Sequence, residues 1–209
     1  NTWTQMASMP AEGRQSAGCF VINNKAYICC GINGVGTALN DLWEYDPSSN
    51  SWVQKKNIPN DGLTGPLSFS LNNKGYVGFG TSAQGYYQRG IWAYDPVTNS
   101  WIRKKDFPAT TVWESFALSD GVNAYTGLGY DVTTFKYVSD IWQYNDATDT
   151  WVQKNNFNGG TRFNETGFTV DGRLYIIGGE NGKTYEFIND AWVYDKERDK
   201  WFSLGKFPG

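Results

Sequence analysis

DLWEYDPSSNSW, residues 41–52, is one of four near-copies of a single segment. The other three read GIWAYDPVTNSW at 90–101, DIWQYNDATDTW at 140–151 and DAWVYDKERDKW at 190–201. Each copy joins a W-x-Y-[DN] segment to a second Trp through a short polar turn. Recurrence at a fixed spacing is typical of a repeat architecture. The repeat, more than any single motif, therefore decides the fold.

Five tryptophans mark the repeat at intervals of 49, 49, 50 and 50 residues: Trp3, Trp52, Trp101, Trp151 and Trp201. These intervals define four units and a partial fifth within one predicted domain, 1–209: units 3–51, 52–100, 101–150 and 151–200, then 201–209. Each full unit contains four short strand-like stretches bounded by Gly, Pro, Asn or Asp, without the period of a helix. The sequence predicts an all-β fold of four-stranded antiparallel sheets, each spanning about 50 residues.

The strand pattern resembles kelch repeats along essentially the whole chain. The second strand of each unit starts with Tyr and ends with Gly (YICCG, YVGFG, YTGLG and YIIGG), the third reads W-x-Y-[DN], and the fourth carries the aligned Trp. The resemblance implies a kelch-type β-propeller of four four-stranded blades plus an extra Trp strand. One departure is that only unit four ends its second strand in a Gly pair, Gly178-Gly179.

The strand count leaves the closure of the propeller open. Five Trp strands accompany only four sets of the other three strands, and kelch propellers commonly close with six or seven blades. Open blade ends would expose sheet edges and apolar faces. We therefore expect an incomplete portion of a larger propeller, with missing blades or a second copy completing the ring. A closed four-bladed ring is the alternative.

The residues that break the repeat lie in loops at one end of the predicted blades. Because the four strands run up and down in chain order, the second-to-third loops and the connections between units share one end. These loops vary, whereas the turns at the opposite end are short and uniform. Variable loops on a rigid scaffold carry function. We expect this loop face to be the binding surface.

Candidate binding residues on the loop face are aromatic, basic and acidic. They are Trp113, Phe163, Arg162, Arg14, Glu114, Glu165, Tyr86, Tyr87, Tyr130 and Tyr137. Arginine offers a planar donor fork, and aromatic faces stack on the C–H faces of sugars, so a glycan is one ligand class. A broad patch of tyrosines would instead suit a protein. The structural alternative is that the aromatics form small loop cores and the charged residues form surface ion pairs.

These residues favour a non-enzymatic binding or interaction module. A resemblance to sialic acid mutarotases gives the enzyme alternative, in which Arg162 and a carboxylate, Glu114 or Glu165, would act near the propeller axis. A purely structural blade array in a larger surface protein is the other alternative. Galactose oxidase-like chemistry needs His ligands for copper, and the chain contains no His,. We predict no catalytic residues, metal or cofactor.

Bulk composition limits the partners further. The net charge is −3 without a basic run, so nucleic-acid binding is not expected,. No apolar run reaches the roughly 18 residues of a membrane span. We expect Cys19, Cys29 and Cys30 to be small core residues in strands, with a disulfide from Cys19 to one of the others left open. Abundant Asn, Ser, Thr and Tyr without His favours an extracellular, cell-surface or periplasmic protein.

Overall fold

The computed structural model describes residues 2–110 and 112–208, except for the side chain of Val112. The regular structure in this part of the chain is β throughout. The chain divides into two compact units, Asn1–Lys104 and Lys105–Gly209, and each unit holds two four-stranded sheets. In every sheet the strands lie side by side in chain order and pair antiparallel. The predicted all-β arrangement of four-stranded blades is confirmed.

Unit 1 contains blades 1 and 2. The strands of blade 1 are Gly18–Ile22, Lys25–Cys29, Leu42–Asp46 and Ser51–Lys55. The strands of blade 2 are Leu67–Leu71, Lys74–Gly78, Ile91–Asp95 and Ser100–Arg103. The first strands of the two blades are joined through Ser68, whose hydroxyl accepts from Cys19 N at 2.9 Å and donates to Cys19 O at 2.8 Å.

Unit 2 contains blades 3 and 4. The strands of blade 3 are Phe116–Ser119, Ala124–Gly127, Ile141–Asn145 and Thr150–Lys154. The strands of blade 4 are Thr166–Val170, Arg173–Ile177, Asp190–Asp195 and Lys200–Lys206. Phe157, which follows blade 3, packs edge-on against Trp192 and Trp201 of blade 4, with ring centroids 5.1 and 5.4 Å apart. The equivalent residue Phe107 packs edge-on against Trp142 and Trp151 of blade 3, so each of these two apolar residues packs into the blade that follows it.

The predicted extra Trp strand is not formed around Trp3. The described residues before Arg14 contain no strand, and Trp3 is fully exposed. A fourth strand pairs with the W-x-Y strand of its own repeat, as Ser51–Lys55 does with Leu42–Asp46. The other predicted Trp strands all form, and Trp201 is buried in the last strand of blade 4.

The repeated Tyr and Trp join each blade to the segment that follows the preceding repeat. In blade 2, Tyr94 Oη donates to Asn99 Oδ1 at 2.9 Å. Asn99 Oδ1 also accepts from Lys56 N at 3.0 Å, and Trp101 Nε1 donates to Lys56 O at 2.7 Å. We call this contact the inter-blade latch. It explains why two aromatic residues and an Asn or Asp recur together in every unit.

Equivalent latches occur in the other blades. The Tyr hydroxyl donates to the Asn or Asp five residues later in each case: Tyr45 to Asn50, Tyr144 to Asp149 and Tyr194 to Asp199. The latched segments contain Ala7, Lys105 and Asn155, whose N–H groups donate to the same side chains. Ala7 lies four residues after Trp3, so the segment around Trp3 keeps its latch although it forms no strand.

The second strand of each blade is followed by two consecutive residues with positive φ. They are Cys30-Gly31, Phe79-Gly80, Leu128-Gly129 and Gly178-Gly179. The first position tolerates Cys, Phe and Leu, which is why a Gly pair occurs only once. The second position is always Gly, because a Cβ there would lie within 2.7 Å of a carbonyl oxygen in the neighbouring connection,. The kelch-like Gly thus lets two loops approach each other.

The three cysteines are free thiols in this structure. Cys29 and Cys30 are completely buried in the core of unit 1, whereas Cys19 is exposed. A hydrogen bond with Cys30 raises the pKa of the Cys29 thiol, and burial raises it further. The core expectation therefore holds for Cys29 and Cys30.

Candidate functional site

On the loop face of each repeat, two short strands of two residues each pair with one another. In every repeat the connection before the first strand pairs antiparallel with the start of the second-to-third loop. The four loop pairs are Arg14–Gln15 with Ile32–Asn33, Leu63–Thr64 with Thr81–Ser82, Val112–Trp113 with Tyr130–Asp131, and Arg162–Phe163 with Glu180–Asn181. The close approach at the positive-φ Gly makes this pairing sterically accessible. Residues far apart in sequence thus become neighbours on the loop face.

In unit 2 this pairing lines up a row of aromatic side chains. Trp113 pairs with Tyr130 in the register, and Tyr130 pairs with Tyr137 across a third short strand. Paired residues project from the same face of a sheet, so the three rings share one side. The Tyr130 and Tyr137 rings lie edge to face with centroids 5.1 Å apart. Trp113 is half-exposed to solvent, at 48%.

The row continues from blade 3 onto blade 4. Tyr137 stacks on Phe163 with centroids 4.5 Å apart and an interplanar angle of 22°. Tyr185 lies edge-on to both rings, at 6.0 Å from Tyr137 and 6.2 Å from Phe163. Phe163 is buried and Tyr185 is exposed, so Phe163 forms the base on which the accessible rings pack. We call these five residues the aromatic row: Trp113, Tyr130, Tyr137, Phe163 and Tyr185.

Three carboxyl groups lie beside the aromatic row. Glu114 follows Trp113 directly, and Glu180 pairs with Phe163 in the register. Burial raises the pKa of Glu114, and the negative charge of Glu180 raises it further. Asn164 Nδ2 donates to Glu180 Oε1 at 3.3 Å. The row therefore has a negative border whose charges repel one another.

Glu165 is the most perturbed of these carboxyls. Burial raises its pKa to about 8, with a smaller contribution from the Glu114 charge, while its own backbone amide and Arg162 act in the opposite direction. Both carboxyl oxygens are buried and have no hydrogen-bond partner in the described part of the chain. A buried carboxyl without a partner favours its neutral form. Such a group is suited to receive a donor or to exchange a proton.

Arg162 is not presented on the loop face as expected. Its guanidinium is fully buried and forms a two-armed ion pair with Asp190, and it also donates to the carbonyl oxygens of Gly178 and Gly159. The guanidinium carbon lies 4.7 Å from the centroid of the Phe157 ring. Arg162 therefore fixes the loop pair of blade 4 from within, and we leave it out of the site.

Arg14 has the same placement in blade 1. Its side chain is 4% exposed and forms a two-armed ion pair with Asp41, in which Nη2 donates to Oδ2 at 2.8 Å. Nη1 also donates to Cys30 O at 3.2 Å. The shared sequence position of Arg14 and Arg162 therefore reflects a shared structural role, which replaces the predicted contact with a ligand.

Tyr86 and Tyr87 belong to unit 1, on the second-to-third loop of blade 2. Tyr86 is 71% exposed and lines a pocket in that blade, whereas Tyr87 bridges to Thr81 and does not line the pocket. In unit 2 the structure thus brings five of the ten candidates together, and a sixth, Glu165, lies nearby. Those five are Trp113, Glu114, Tyr130, Tyr137 and Phe163.

Three residues of the site were absent from the predicted set. Tyr185 belongs to the same class of off-pattern loop tyrosines, so its loop position was a usable signal. Glu180 would have been found from its register with Phe163, which depends on the loop pair. Gly182 leaves room for Tyr137, since a Cβ there would lie 2.5 Å from Tyr137 Cβ. Sequence alone does not indicate such an approach.

The described residues contain neither a helix long and apolar enough to cross a bilayer nor a cluster of His, Cys, Asp or Glu arranged to hold a metal ion.

Four-stranded blades with a variable, aromatic loop face define this protein as a kelch-type β-propeller. A family model of the Attractin/LZTR1 β-propeller matches residues 1–207, so the chain belongs to that family. A solved structure described as "Structure of YjhT" is similar over 99% of this chain and 74% of that one, with a TM-score of 0.80 and 18% identity. At that identity the likeness shows the fold alone. A comparison with curated proteins finds no match.

Proposed function

We propose that this protein is a non-enzymatic binding module whose aromatic row recognises a protein partner. The observation that carries the proposal is the continuous packing of Tyr130, Tyr137, Phe163 and Tyr185 beside carboxyl groups on the loop face. Tyrosine and tryptophan are enriched where proteins bind each other, since their rings bury area at low entropic cost. Trp113 and Tyr185 are the accessible members of the row.

The same geometry argues against a glycan at this place. A sugar site was expected around Trp113, Phe163 and Arg162, with the guanidinium as the hydrogen-bond donor. Arg162 instead faces Asp190, and Phe163 lies beneath Tyr137. The described contacts form a row of rings in which Trp113 and Tyr185 are exposed, rather than a cleft with an arginine at its centre.

The acidic border favours a partner that carries positive charge. The raised pKa of Glu114 means that its negative charge, and that of the neighbouring Glu180, is poorly compensated in the free protein. A Lys or Arg side chain of a partner would compensate that charge and gain a cation–π contact with the row. Pairing of this kind sets specificity and association rate as well as affinity.

The experiment is a selection of random peptides on the purified wild-type protein, with Trp113→Ala and Trp3→Ala as matched variants. Trp3 is the control because it is fully exposed and outside the row. We expect enriched peptides that contain Arg or Lys, bind less tightly at high salt, and lose binding to Trp113→Ala but not to Trp3→Ala. Peptides that bind all three proteins equally, or none at all, would count against the proposal.

A specific observation also favours a second candidate, a carbohydrate enzyme similar to the sialic acid mutarotases. A carboxyl with a pKa of about 8 and no hydrogen-bond partner, as in Glu165, is poised for general acid–base chemistry near neutral pH,. The test is the rate at which the anomers of sialic acid interconvert, followed by NMR. An enzyme of this kind requires acceleration by the wild type that Glu165→Gln abolishes; an unchanged rate with the wild type rejects it.

A further inference from the structure

Blade 2 contains a pocket that the aromatic row does not use. Its volume is about 230 Å³, and it lies entirely within unit 1. The polar and aromatic side chains in its lining include those of Asp61, Gln84, Tyr86, Gln88, Trp92 and Arg103. Pockets for drug-sized ligands run from roughly 300 to 1,000 Å³, so this one suits a ligand of about one ring.

The pocket exists where blade 2 departs from blades 1 and 4. In blades 1 and 4 the corresponding positions hold the ion pairs of Arg14 with Asp41 and of Arg162 with Asp190. Blade 2 has Leu63 and Gly90 at these positions. Leu63 is buried, and the space beside Gly90 is taken by the guanidinium of Arg103, which lies 5.5 Å from the centroid of the Trp92 ring. A structural ion pair is thus replaced by an open, polar recess.

The polar groups around the recess offer both donors and acceptors. Gln84 Nε2 lies 3.4 Å from Asp61 Oδ2, a long contact that a ligand hydroxyl could replace,. Gln88 Nε2 donates to Tyr86 O at 3.0 Å, which leaves its carbonyl oxygen to accept,. Asp61 and Arg103 contribute one charge of each sign, so the lining carries no net charge. A neutral ligand with several hydroxyl groups matches this set.

Tyr86 supplies the remaining element of sugar recognition. Tyr86 is 71% exposed at the rim of the pocket. An exposed aromatic face beside polar side chains stacks on the C–H face of a pyranose while the amides bond its hydroxyls. Indole, amide, carboxylate and guanidinium groups converge within a single blade.

We infer that the blade 2 pocket binds a single saccharide residue through Tyr86, Gln84, Asp61 and Gln88. This inference is independent of the proposed function, because its residues all belong to unit 1 and the aromatic row belongs to unit 2. The ligand class is a neutral hexose or N-acetylhexosamine at the end of a glycan or free in solution.

The test is an NMR titration of the ¹⁵N-labelled protein with methyl glycosides of glucose, galactose, mannose and N-acetylglucosamine. The probes are the side-chain amide signals of Gln84 and Gln88. Binding requires saturable shifts of these signals with at least one glycoside but not with glycerol, which has hydroxyls and no ring face. Tyr86→Ala should weaken the affinity about tenfold or more, because it removes the stacking face.

Tyr87→Ala is the matched control, since Tyr87 is adjacent in sequence, exposed and outside the pocket. It should bind the same glycoside as tightly as the wild type. Gln84→Ala supplies a second variant on an exposed loop position, and it should also lose affinity. Absence of saturable shifts with every glycoside, or equal affinity of Tyr86→Ala, Gln84→Ala and wild type, would overturn the inference. These outcomes leave peptide binding at the aromatic row unaffected, so the two proposals fail separately.

Discussion

Arg162 and Asp190 form a two-armed ion pair, with Nη1 to Oδ1 at 2.7 Å and Nη2 to Oδ2 at 3.1 Å, and the guanidinium is shielded from solvent. Removing one partner of a buried pair leaves the other charge uncompensated. The pair joins the start of the loop pair to the start of the third strand of blade 4. It therefore supports the base of the aromatic row without contacting a ligand.

Arg162→Ala should lower the free energy of unfolding by more than about 2 kcal/mol, because the half-buried Asp190 would lose its partner and the carbonyl oxygens of Gly178 and Gly159 would lose a donor,. Arg198→Ala is the control: Arg198 also pairs with an Asp, at 3.1 Å, but its side chain is 73% exposed. That change should cost less than about 1 kcal/mol. Urea unfolding of both variants measures the difference, and equal losses would contradict a buried structural role for Arg162.

Gly129→Ala should destabilise the protein more than Gly121→Ala. Both glycines have positive φ, +81° and +90°, so the backbone strain of an alanine is similar. A Cβ on Gly129 would collide with Trp113 O, whereas a Cβ on Gly121 has nothing within 4 Å. Gly121→Ala should cost about 1–2 kcal/mol from the left-handed conformation alone.

The additional loss in Gly129→Ala, which we expect to exceed about 1 kcal/mol, comes from parting the loop pair of blade 3. Thermal unfolding followed by circular dichroism compares the two variants. Tryptophan fluorescence should also change for Gly129→Ala, because Trp113 moves with the loop pair. Indistinguishable unfolding temperatures would show that the close approach at Gly129 contributes nothing to stability.

Trp201→Ala and Trp113→Ala should separate packing from recognition. Trp201 is 1% exposed and packs against Phe157 and Tyr194, so its truncation should cost about 3–5 kcal/mol,. Trp113 is 48% exposed and should cost less than about 1 kcal/mol,. Denaturant unfolding measures both. A large loss of stability in Trp113→Ala would make Trp113 a packing residue and remove it from the proposed site.

Stability should fall as the pH rises, owing to Glu165. Its folded-state pKa of about 8 lies above the ordinary carboxyl value of 4.5. Between these values the unfolded chain releases a proton that the folded protein retains, so the free energy of unfolding decreases with increasing pH. One such group contributes a slope of up to about 1.4 kcal/mol per pH unit.

Glu165→Gln should remove that slope, because the amide mimics the neutral carboxyl at every pH. Unfolding in urea at several pH values between about 5 and 8 provides the measurement. Glu197→Gln, which alters an exposed glutamate, serves as the control and should keep the wild-type dependence. The same slope in Glu165→Gln and wild type would show that another group causes it.

The repeat made most of the fold predictable, because strand periodicity and turn residues are local properties of the sequence. The four-stranded blades and the one-sided placement of variable loops could be read from segments such as 41–52. The role of Arg162 could not, since Asp190 is 28 residues away and their pairing depends on the loop register. The positive φ of Phe79 and Leu128 was also hidden, because neither residue type signals that conformation,.

The candidate site was predictable in composition but not in arrangement. Off-pattern aromatics correctly drew attention to Trp113, Tyr130, Tyr137 and Phe163 as residues on one face. Their packing into a row requires the third short strand at Lys136–Tyr137 and the space beside Gly182. Both features arise from tertiary contacts, which a single sequence does not encode in any local pattern.

The inter-blade latch has a consequence for recombining repeats. Lys56 belongs to the chain segment after blade 1, yet its backbone bonds to Asn99 and Trp101 of blade 2. A repeat that is exchanged as a unit is therefore not the same set of residues as one four-stranded sheet. A chimera that exchanged residues 63–103 as a cassette would inherit its latch partner from the host. Because that contact uses the backbone of Lys56, donor and host need agree in spacing rather than in side chain, which gives such repeats freedom to be shuffled.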